Sequence, residues 1–141
     1  MKMTIKILLT FILAVITFSA CETESAETVP NTPAAAQMEI KQASVEQAKN
    51  AVAAKDVQFI DVRTTEEYAG GHAPKTVNFP LDALESDLAK LDKKKPVYVI
   101  CQTGRRSQKS AEILQKAGFR NIYNINGGTS EWIKAGFPTE K

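Results

Sequence analysis

Residues 97–107 carry the most information in this chain and read Val97-Tyr98-Val99-Ile100-Cys101-Gln102-Thr103-Gly104-Arg105-Arg106-Ser107. Four β-forming residues lead into Cys101, and a short polar loop with one glycine and two arginines follows it. A helical pattern then runs from Ser107 to about Ala117. This order places the sulfur among backbone N–H groups at the positive end of a helix dipole, and both favour a thiolate. The segment therefore predicts a cysteine nucleophile that acts on an anionic, sulfur-bearing substrate.

The alternative interpretation is a buried core cysteine that simply ends a strand. Such a cysteine has no need of Gly104, which can adopt a positive φ at no steric cost. It also has no need of two adjacent cations, because their charges must stay solvated or paired. The composition of the loop favours the nucleophile.

The composition of the chain is typical of one modest globular domain, with 141 residues of which 43% are hydrophobic and 24% charged. A formal net charge of +2 is too small to indicate a nucleic-acid partner. One histidine and two cysteines predict no metal site and no cofactor held by such ligands, and they provide no disulfide framework within the domain.

The N-terminal residues 1–20 have the pattern of a secretory signal peptide. Two lysines precede an apolar run, Ile7–Phe18, which is too short to span a bilayer of about 30 Å as a mature helix. The sequence Phe18-Ser19-Ala20-Cys21 is similar to a bacterial lipobox, in which the cysteine is lipidated and becomes the new N-terminus. We therefore expect a lipid on Cys21; the alternative is an ordinary signal that is cut beside an unmodified Cys21.

Residues 21–37 are predicted to be a lipidated cysteine followed by a disordered linker. They are polar and acidic, with two prolines and almost nothing to bury. A folded domain is predicted from residue 38 to residue 141. We expect a domain outside the cytoplasm, in the cell envelope, bound to a bacterial membrane through the lipid anchor only.

Strand and helix signals alternate through the predicted domain. Strands are predicted at Met38–Lys41, Val57–Val62, Thr76–Phe79, Val97–Ile100 and Asn121–Ile125. Helices are predicted at Ser44–Ala54, from a Thr64 cap through Tyr68, at Asp82–Leu91, at Ser107–Ala117 and after Gly127-Gly128, the last containing Trp132. This alternation favours an α/β fold with a small, mostly parallel sheet and helices on both faces. Ligands of such sheets bind at the carboxyl ends of the strands, where Cys101 lies.

Three blocks of the chain resemble the single-domain rhodaneses, a group of the rhodanese-like sulfurtransferase superfamily. They are Phe59-Ile60-Asp61-Val62-Arg63 running on to Gly71-His72, the loop Cys101–Ser107, and Asn124-Ile125-Asn126-Gly127-Gly128 running on through Trp132 to Pro138. The resemblance covers nearly all of residues 38–138. It departs from the usual pattern after His72, where Ala73-Pro74-Lys75-Thr76 replaces Ile-Pro-Gly-Ala. This departure affects what the resemblance implies about the conformation of that loop and leaves the assignment of Cys101 unchanged.

The resemblance implies a sulfurtransferase. Cys101 would take a sulfane sulfur from thiosulfate or polysulfide as a persulfide and pass it to a thiol, a protein or cyanide. The implied substrate-binding residues are Gln102, Thr103, Gly104, Arg105 and Arg106, through their backbone N–H groups and the two guanidinium groups. Two roles stay open for Arg106, which could bind the donor or brace the loop.

The resemblance implies that Asp61 and Arg63 lie at the carboxyl end of the strand that neighbours Cys101, and we predict that they support the site. The pair could tie down loops or contact the substrate directly, and the structural role is favoured. His72 is predicted to be a packing residue, because a thiolate held by dipoles needs no base.

Two other functions have to be weighed. The phosphatases that share this fold carry an arginine six positions after the cysteine, where this chain has Ser107. The shorter loop fits a sulfur atom better than a phosphate. A rhodanese-like module that binds or carries a persulfide without turnover is the second alternative, although such modules commonly lack the cysteine that this chain keeps.

Overall fold

The computed structural model describes residues 39–54 and 56–141. The predicted signal peptide, Cys21, the linker to residue 37 and Met38 lie outside the described residues. The strands are β1 Ile40–Ala43, β2 Gln58–Asp61, β3 Val77–Asn78, β4 Val97–Ile100 and β5 Ile122–Ile125. The helices are α1 Val45–Val52, α2 Thr65–Ala69, α3 Leu84–Asp87, α4 Arg105–Lys116 and α5 Gly128–Lys134, and a 3₁₀ turn, Leu88–Lys90, continues α3.

The strands form one sheet in the order β1-β5-β4-β2-β3, and every pairing within it is parallel. β4 lies in the centre, between β5 and β2. At its carboxyl end Ile100 pairs with Asp61 of β2, and Val99 pairs with Asn124 of β5. The residue after Ile100 therefore leaves the middle of the sheet at the edge where parallel strands collect ligand-binding groups.

Helices cover both faces of the sheet. The side chains of β4 point alternately to the two faces and pack in two separate cores. Val97 and Val99 pack on one face with Ala111 and Leu114 of α4. Ile100 packs on the other face, in a cluster that includes residues of α1 and α5. The core residues on that second face include Val45, Ala48, Val52, Phe59, Ile125 and Trp132. The predicted α/β fold, with a parallel sheet between two layers of helices, is confirmed.

Helix caps account for several of the boundaries. Ser44 and Thr64 each begin a helix as the N-cap of a capping box, with Gln47 and Glu67 as the reciprocal partners. Gly118, at φ 93°, ends α4 in a left-handed conformation. These three predictions are confirmed.

The predicted start of α4 at Ser107 is wrong, because the helix begins at Arg105. Gly104 adopts φ 99° as the N-cap and turns the chain directly into the helix, so that both arginines lie in its first turn. Two smaller differences concern β1, which extends to Ala43, and β3, which is limited to Val77–Asn78.

The loop that departs from the rhodanese pattern keeps a conformation suited to glycine. Lys75 has φ 62° and is the only non-glycine residue with a positive φ among the described residues. The usual glycine of the pattern falls at this position, so that the replacement changes the side chain while the backbone stays left-handed. The hydroxyl of Thr76 then donates to the carbonyl of Ala73 at 2.6 Å and closes the turn.

No helix within residues 39–54 and 56–141 combines the length and the apolar character needed to cross a bilayer.

Candidate active site

Cys101 lies directly after β4 and is 1% exposed. Its sulfur accepts a hydrogen bond from the backbone N–H of Gly104 at 3.1 Å, and the Ser107 hydroxyl oxygen lies 3.4 Å from it. The loop wraps around the sulfur because Gly104 reverses the chain within three residues. The structure thus places Cys101 at the centre of a ring of hydrogen-bond donors.

Two opposing effects act on the pKa of Cys101. Burial of the sulfur raises the pKa, whereas hydrogen bonds from the Ser107 hydroxyl and from the backbone N–H groups of Ser107, Thr103 and Gly104 lower it. The hydrogen bonds outweigh burial, so that the pKa of Cys101 falls below its ordinary value of 9.0. The loop therefore favours the thiolate, which is the nucleophilic form of cysteine.

The N-terminus of α5 supports the loop from behind. The backbone N–H of Thr129 donates to the carbonyl of Cys101 at 2.8 Å, and that of Ser130 donates to the carbonyl of Gln102 at 3.1 Å. The Gln102 side chain donates to the Ser130 hydroxyl at 2.9 Å. The Gln102 amide is therefore turned toward α5, whereas the loop N–H groups of Thr103 and Gly104 are turned toward the sulfur.

Arg106 forms a two-point ion pair with Glu67. Its Nη1 and Nη2 atoms lie 2.7 Å from the two carboxylate oxygens, and this contact joins the first turn of α4 to α2. Glu67 also accepts from the backbone N–H of Thr64 at 3.0 Å, which fixes the carboxylate from its own helix. Both ends of the guanidinium are thus engaged by Glu67, and this geometry favours the bracing role over donor binding.

We expect Arg106→Ala to lower stability in a way that depends on pH. Hydrogen bonds from Arg106 hold the pKa of Glu67 at about 2, below its ordinary 4.5. A carboxyl with a lowered pKa adds stability that is present above pH 4.5 and is lost as the pH falls toward 2. Because the two side chains are 34% and 35% exposed, solvent screens the pair, and we expect a loss of about 1 kcal/mol or less at neutral pH.

Thermal unfolding measured from neutral pH to about pH 2 checks this prediction. The variant should lose less stability on acidification than the unchanged chain, because its Glu67 no longer has the guanidinium to hold its pKa down. Arg105→Ala is the control, since Arg105 makes no ion pair within the described residues. Equal acid sensitivity of the Arg106 variant and the unchanged chain would contradict the bracing role.

A cavity of about 320 Å³ lies against the outer side of the loop. It is lined by Leu81, Gln102, Thr103, Arg105, Arg106 and Lys109, three of which are cationic and none of which is a carboxylate. Arg105 is exposed, so that its charge stands open to a ligand. Sequence reasoning missed Lys109; its signal is the spacing of four residues from Arg105, which puts both on one side of α4.

Asp61 and Arg63 form a buried pair whose side chains are 0% and 4% exposed. The Arg63 guanidinium contacts the Asp61 carboxylate at 2.7 Å and also donates to the carbonyl of Gly71 at 2.9 Å. Asn78 donates to the carbonyls of both residues at 3.0 Å. The pair ties the end of β2 to the loop before His72, an arrangement that favours the supporting role.

His72 is held by packing. Its ring stacks on Tyr68 with the centroids 3.7 Å apart, and its Nδ1 lies 2.9 Å from the Tyr68 carbonyl oxygen. Its backbone exchanges two hydrogen bonds with Glu140, at 2.9 and 2.8 Å.

Within the part of the chain that the structure describes, no three His, Cys, Asp or Glu side chains come together as a metal site.

A family model described as the rhodanese-like domain matches residues 44–135. The chain is 33% identical over 95 residues to the thiosulfate sulfurtransferase GlpE of Shewanella oneidensis, a match that covers 67% of this chain and 94% of that protein. It is 35% identical over 78 residues to YrkF of Bacillus subtilis, a candidate sulfur carrier, and there the match covers 55% of this chain and only 42% of the relative.

Among solved structures, the rhodanese-related protein of Thermoplasma volcanium superposes with a TM-score of 0.65 at 28% identity. The superposition covers 71% of this chain and 97% of that one. The matched residues of the family model include the strand, loop and helix that hold Cys101, and the chain belongs to the rhodanese-like domain family.

Proposed function

We propose that the protein is a sulfurtransferase that moves a sulfane sulfur from thiosulfate or polysulfide to a thiol or cyanide acceptor through a Cys101 persulfide. The observation that carries the proposal is the sulfur itself, held by loop hydrogen bonds that lower its pKa, in a loop whose residues Gln102, Thr103, Arg105 and Arg106 line a cationic cavity. The relatives named as sulfurtransferases support it at the level of the family.

The first step with thiosulfate conserves atoms and electrons. The Cys101 thiolate attacks the outer sulfur of the donor, and a new S–S bond forms as the S–S bond of thiosulfate breaks. Sulfite leaves with the electron pair, and the outer sulfur stays on Cys101 as a persulfide anion. The backbone N–H groups of Thr103 and Gly104 already point at the cysteine sulfur, so that they also stabilise negative charge on the persulfide.

The second step returns the enzyme to its starting state. A thiolate or cyanide attacks the outer sulfur of the persulfide, forming a persulfide of the acceptor or thiocyanate. The Cys101 sulfur leaves as the thiolate. A leaving group with a lowered pKa departs faster, so that the same hydrogen bonds assist both steps.

The cavity selects for an anionic donor. Thiosulfate is a dianion, and the exposed guanidinium of Arg105 with the ammonium of Lys109 presents two positive charges on the outer side of the loop. Charge-assisted contacts of this kind raise the capture of an anion and weaken as salt is added.

We expect Arg105→Ala to lower kcat/KM for thiosulfate by about tenfold to a hundredfold, as for the loss of one charge-assisted contact of about 1.5–3 kcal/mol. Lys109→Ala should lower it less, by about twofold to tenfold, because an exposed ammonium is screened by solvent. Steady-state kinetics at low and high salt measure both effects. Lys116→Ala, on the last turn of the same helix, is the matched control and should change kcat/KM by less than about twofold. Equal losses of kcat/KM in the three variants would show that the cavity has no part in binding the donor.

The proposed function is tested by the mass of the Cys101-containing peptide after exposure of the full chain to thiosulfate. A persulfide adds about 32 Da, and cyanide or dithiothreitol should remove it. Release of thiocyanate in the presence of cyanide measures turnover. An adduct without turnover on any donor would favour the persulfide-carrier alternative, and an unchanged mass after both thiosulfate and polysulfide would overturn the proposal.

We also propose that residues 1–20 are a signal peptide and that Cys21 carries a lipid, which binds the protein to a bacterial membrane in the cell envelope. The basic, apolar and small-residue order before Cys21 supports this address. Acyl chains would provide the anchoring, so that detergent and not high salt should release the protein from membranes. Cys21→Ala should block incorporation of labelled fatty acid, and absence of the label from the unchanged chain would contradict the proposal.

A further inference from the structure

A buried polar pair, Ser107 and Asn124, lies next to the Cys101 sulfur. Ser107 is 0% exposed and Asn124 of β5 is 4% exposed. The Ser107 hydroxyl lies 2.6 Å from the Oδ1 of Asn124 and 3.4 Å from the sulfur. A hydroxyl has one hydrogen, so that these two acceptors compete for it.

The Asn124 amide is held in one orientation by two further acceptors. Its Nδ2 donates to the Oε1 of Gln42 at 3.0 Å and to the Oε1 of Gln108 at 3.1 Å. The Nε2 of Gln42 also donates to the Oε1 of Gln108 at 3.1 Å. The oxygen of Asn124 must therefore face Ser107.

The direction of this network is set at the surface. The Nε2 of Gln108 donates to the carboxylate of Glu112 at 3.3 Å, and an ionised carboxylate can only accept. Gln108 must then turn its oxygen toward Gln42 and Asn124. This one constraint orients every side-chain amide in the hydrogen-bond network between Glu112 and Ser107, namely those of Gln108, Gln42 and Asn124.

The orientation of Asn124 decides which atom accepts the hydroxyl hydrogen of Ser107. Since Asn124 accepts it at 2.6 Å, the lone pairs of the hydroxyl oxygen remain for the sulfur, and they can accept the S–H of a Cys101 thiol. A thiolate or persulfide needs a donor instead. The hydroxyl must then turn its hydrogen from Asn124 to sulfur, which leaves the buried Asn124 oxygen without that bond.

We propose that Asn124 is a positioning residue for the sulfur chemistry, which holds the Ser107 hydrogen while Cys101 is a thiol and yields it when the thiolate or persulfide forms. The proposal rests on the proposed function only in taking Cys101 as the nucleophile. Asn124 acts through Ser107. By holding the hydroxyl hydrogen it favours the thiol state of Cys101, whereas the backbone N–H donors favour the thiolate.

The charged groups around the sulfur are the same in every variant of the test. Arg106 on α4 interacts electrostatically with Cys101 and with Asp61. Arg106 is paired with Glu67 on α2, and Asp61 with Arg63 after β2. No charged residue is replaced, so that a change in the thiolate pKa reports on the hydrogen of Ser107.

The test measures the pKa of Cys101 from the ultraviolet absorbance of the thiolate and from the pH dependence of alkylation by iodoacetamide. The full chain with Cys21→Ala is used, since it then holds one cysteine. Ser107→Ala should raise the pKa by about 0.5–1 unit, because a donor to the thiolate is lost. Asn124→Leu, of similar size, should lower it by about 0.5–1 unit, because the hydroxyl is freed for the sulfur.

The double variant decides the mechanism. In the Ser107→Ala background, Asn124→Leu should shift the pKa by less than about 0.2 unit, since no hydroxyl remains to be released. An equal shift in both backgrounds, an unchanged pKa in folded Asn124→Leu, or a raised pKa there would each overturn the proposal.

A second pair of substitutions keeps the test valid where Asn124→Leu fails to fold. Gln42 is exposed and Gln108 half-buried, so that Gln42→Ala with Gln108→Ala leaves the core intact. The Asn124 amide is then free to turn and to donate to the Ser107 oxygen, which releases the hydroxyl hydrogen to the sulfur. The pKa should fall in the same direction, and a rise or no change would overturn the proposal. Neither thiolate absorbance nor alkylation by iodoacetamide needs a sulfur donor. A failure of the Asn124 proposal can therefore be distinguished from a failure of the sulfurtransferase proposal.

Discussion

Cys101→Ser is expected to abolish formation of the sulfur adduct and to lower turnover of thiosulfate by at least about 10⁴-fold, as for removal of a nucleophile. The serine oxygen would accept from the backbone N–H of Gly104 as the sulfur does. Its hydroxyl stays protonated at neutral pH, however, and an oxygen cannot store a sulfane sulfur as a persulfide. Peptide mass after thiosulfate and release of thiocyanate measure the two effects.

The fold of this variant should be preserved, because serine is close in size to cysteine and its hydroxyl has ready donors. We expect a change in the free energy of unfolding of less than about 2 kcal/mol, which is compatible with a fully folded chain. Cys21→Ala serves as the matched cysteine control and should keep both the adduct and the turnover. Sulfur on the Cys101→Ser variant, or turnover at the rate of the unchanged chain, would show that another residue is the nucleophile.

The fold could be predicted largely because its signals are local. The β-forming run Val97–Ile100, the Ser44 and Thr64 caps and the Gly118 stop each depend on neighbouring residues, and each appears in the structure. The start of α4 could not be placed, because Arg105 and Arg106 are no cap signal. The turn depends on Gly104 adopting φ 99°, a conformation that a glycine allows without requiring.

In the candidate site, too, the features that depend on neighbouring residues could be predicted, and those that depend on distant residues could not. Cys101 and its loop are contiguous in sequence, so that their arrangement could be predicted from local pattern. Glu67 was predicted as a helix cap, but its ion pair with Arg106 joins residues 39 positions apart and depends on the packing of α2 beside α4. The hydrogen bond between Ser107 of α4 and Asn124 of β5 likewise depends on the packing of α4 against β5. The catalytic and binding roles assigned to these residues stay predictions until the variants are measured.

The contact between Gly128 and the loop Cys101–Ser107 allows no side chain. A Cβ at Gly128 would lie 2.2 Å from the carbonyl oxygen of Cys101 and 2.8 Å from the carbonyl carbon of Gln102. Both are backbone atoms and cannot rotate away as a flexible side chain would. Gly128 also has φ 56°, a left-handed conformation that disfavours other residues.

We therefore expect Gly128→Ala to push the N-terminus of α5 away from the loop and to break the bonds from Thr129 and Ser130 that hold it. Overpacking together with a strained φ should lower the free energy of unfolding by about 2–4 kcal/mol. Displacement of the loop by about 1 Å should slow formation of the sulfur adduct by about 10²-fold or more. Denaturant unfolding and the rate of adduct formation measure the two losses.

Gly136→Ala separates the clash from the strained backbone. Gly136 has φ 72°, similar to that of Gly128, but a Cβ there meets no atom within 4 Å. This variant should therefore lose only the cost of a left-handed residue, about 1–2 kcal/mol, and form the adduct at a rate within about twofold of the unchanged chain. The difference between the two variants isolates the contact with Cys101 and Gln102. If both variants lost the same stability and kept the same rate of adduct formation, α5 would have no part in holding the loop Cys101–Ser107, and the hydrogen bonds to the carbonyls of Cys101 and Gln102 would be dispensable.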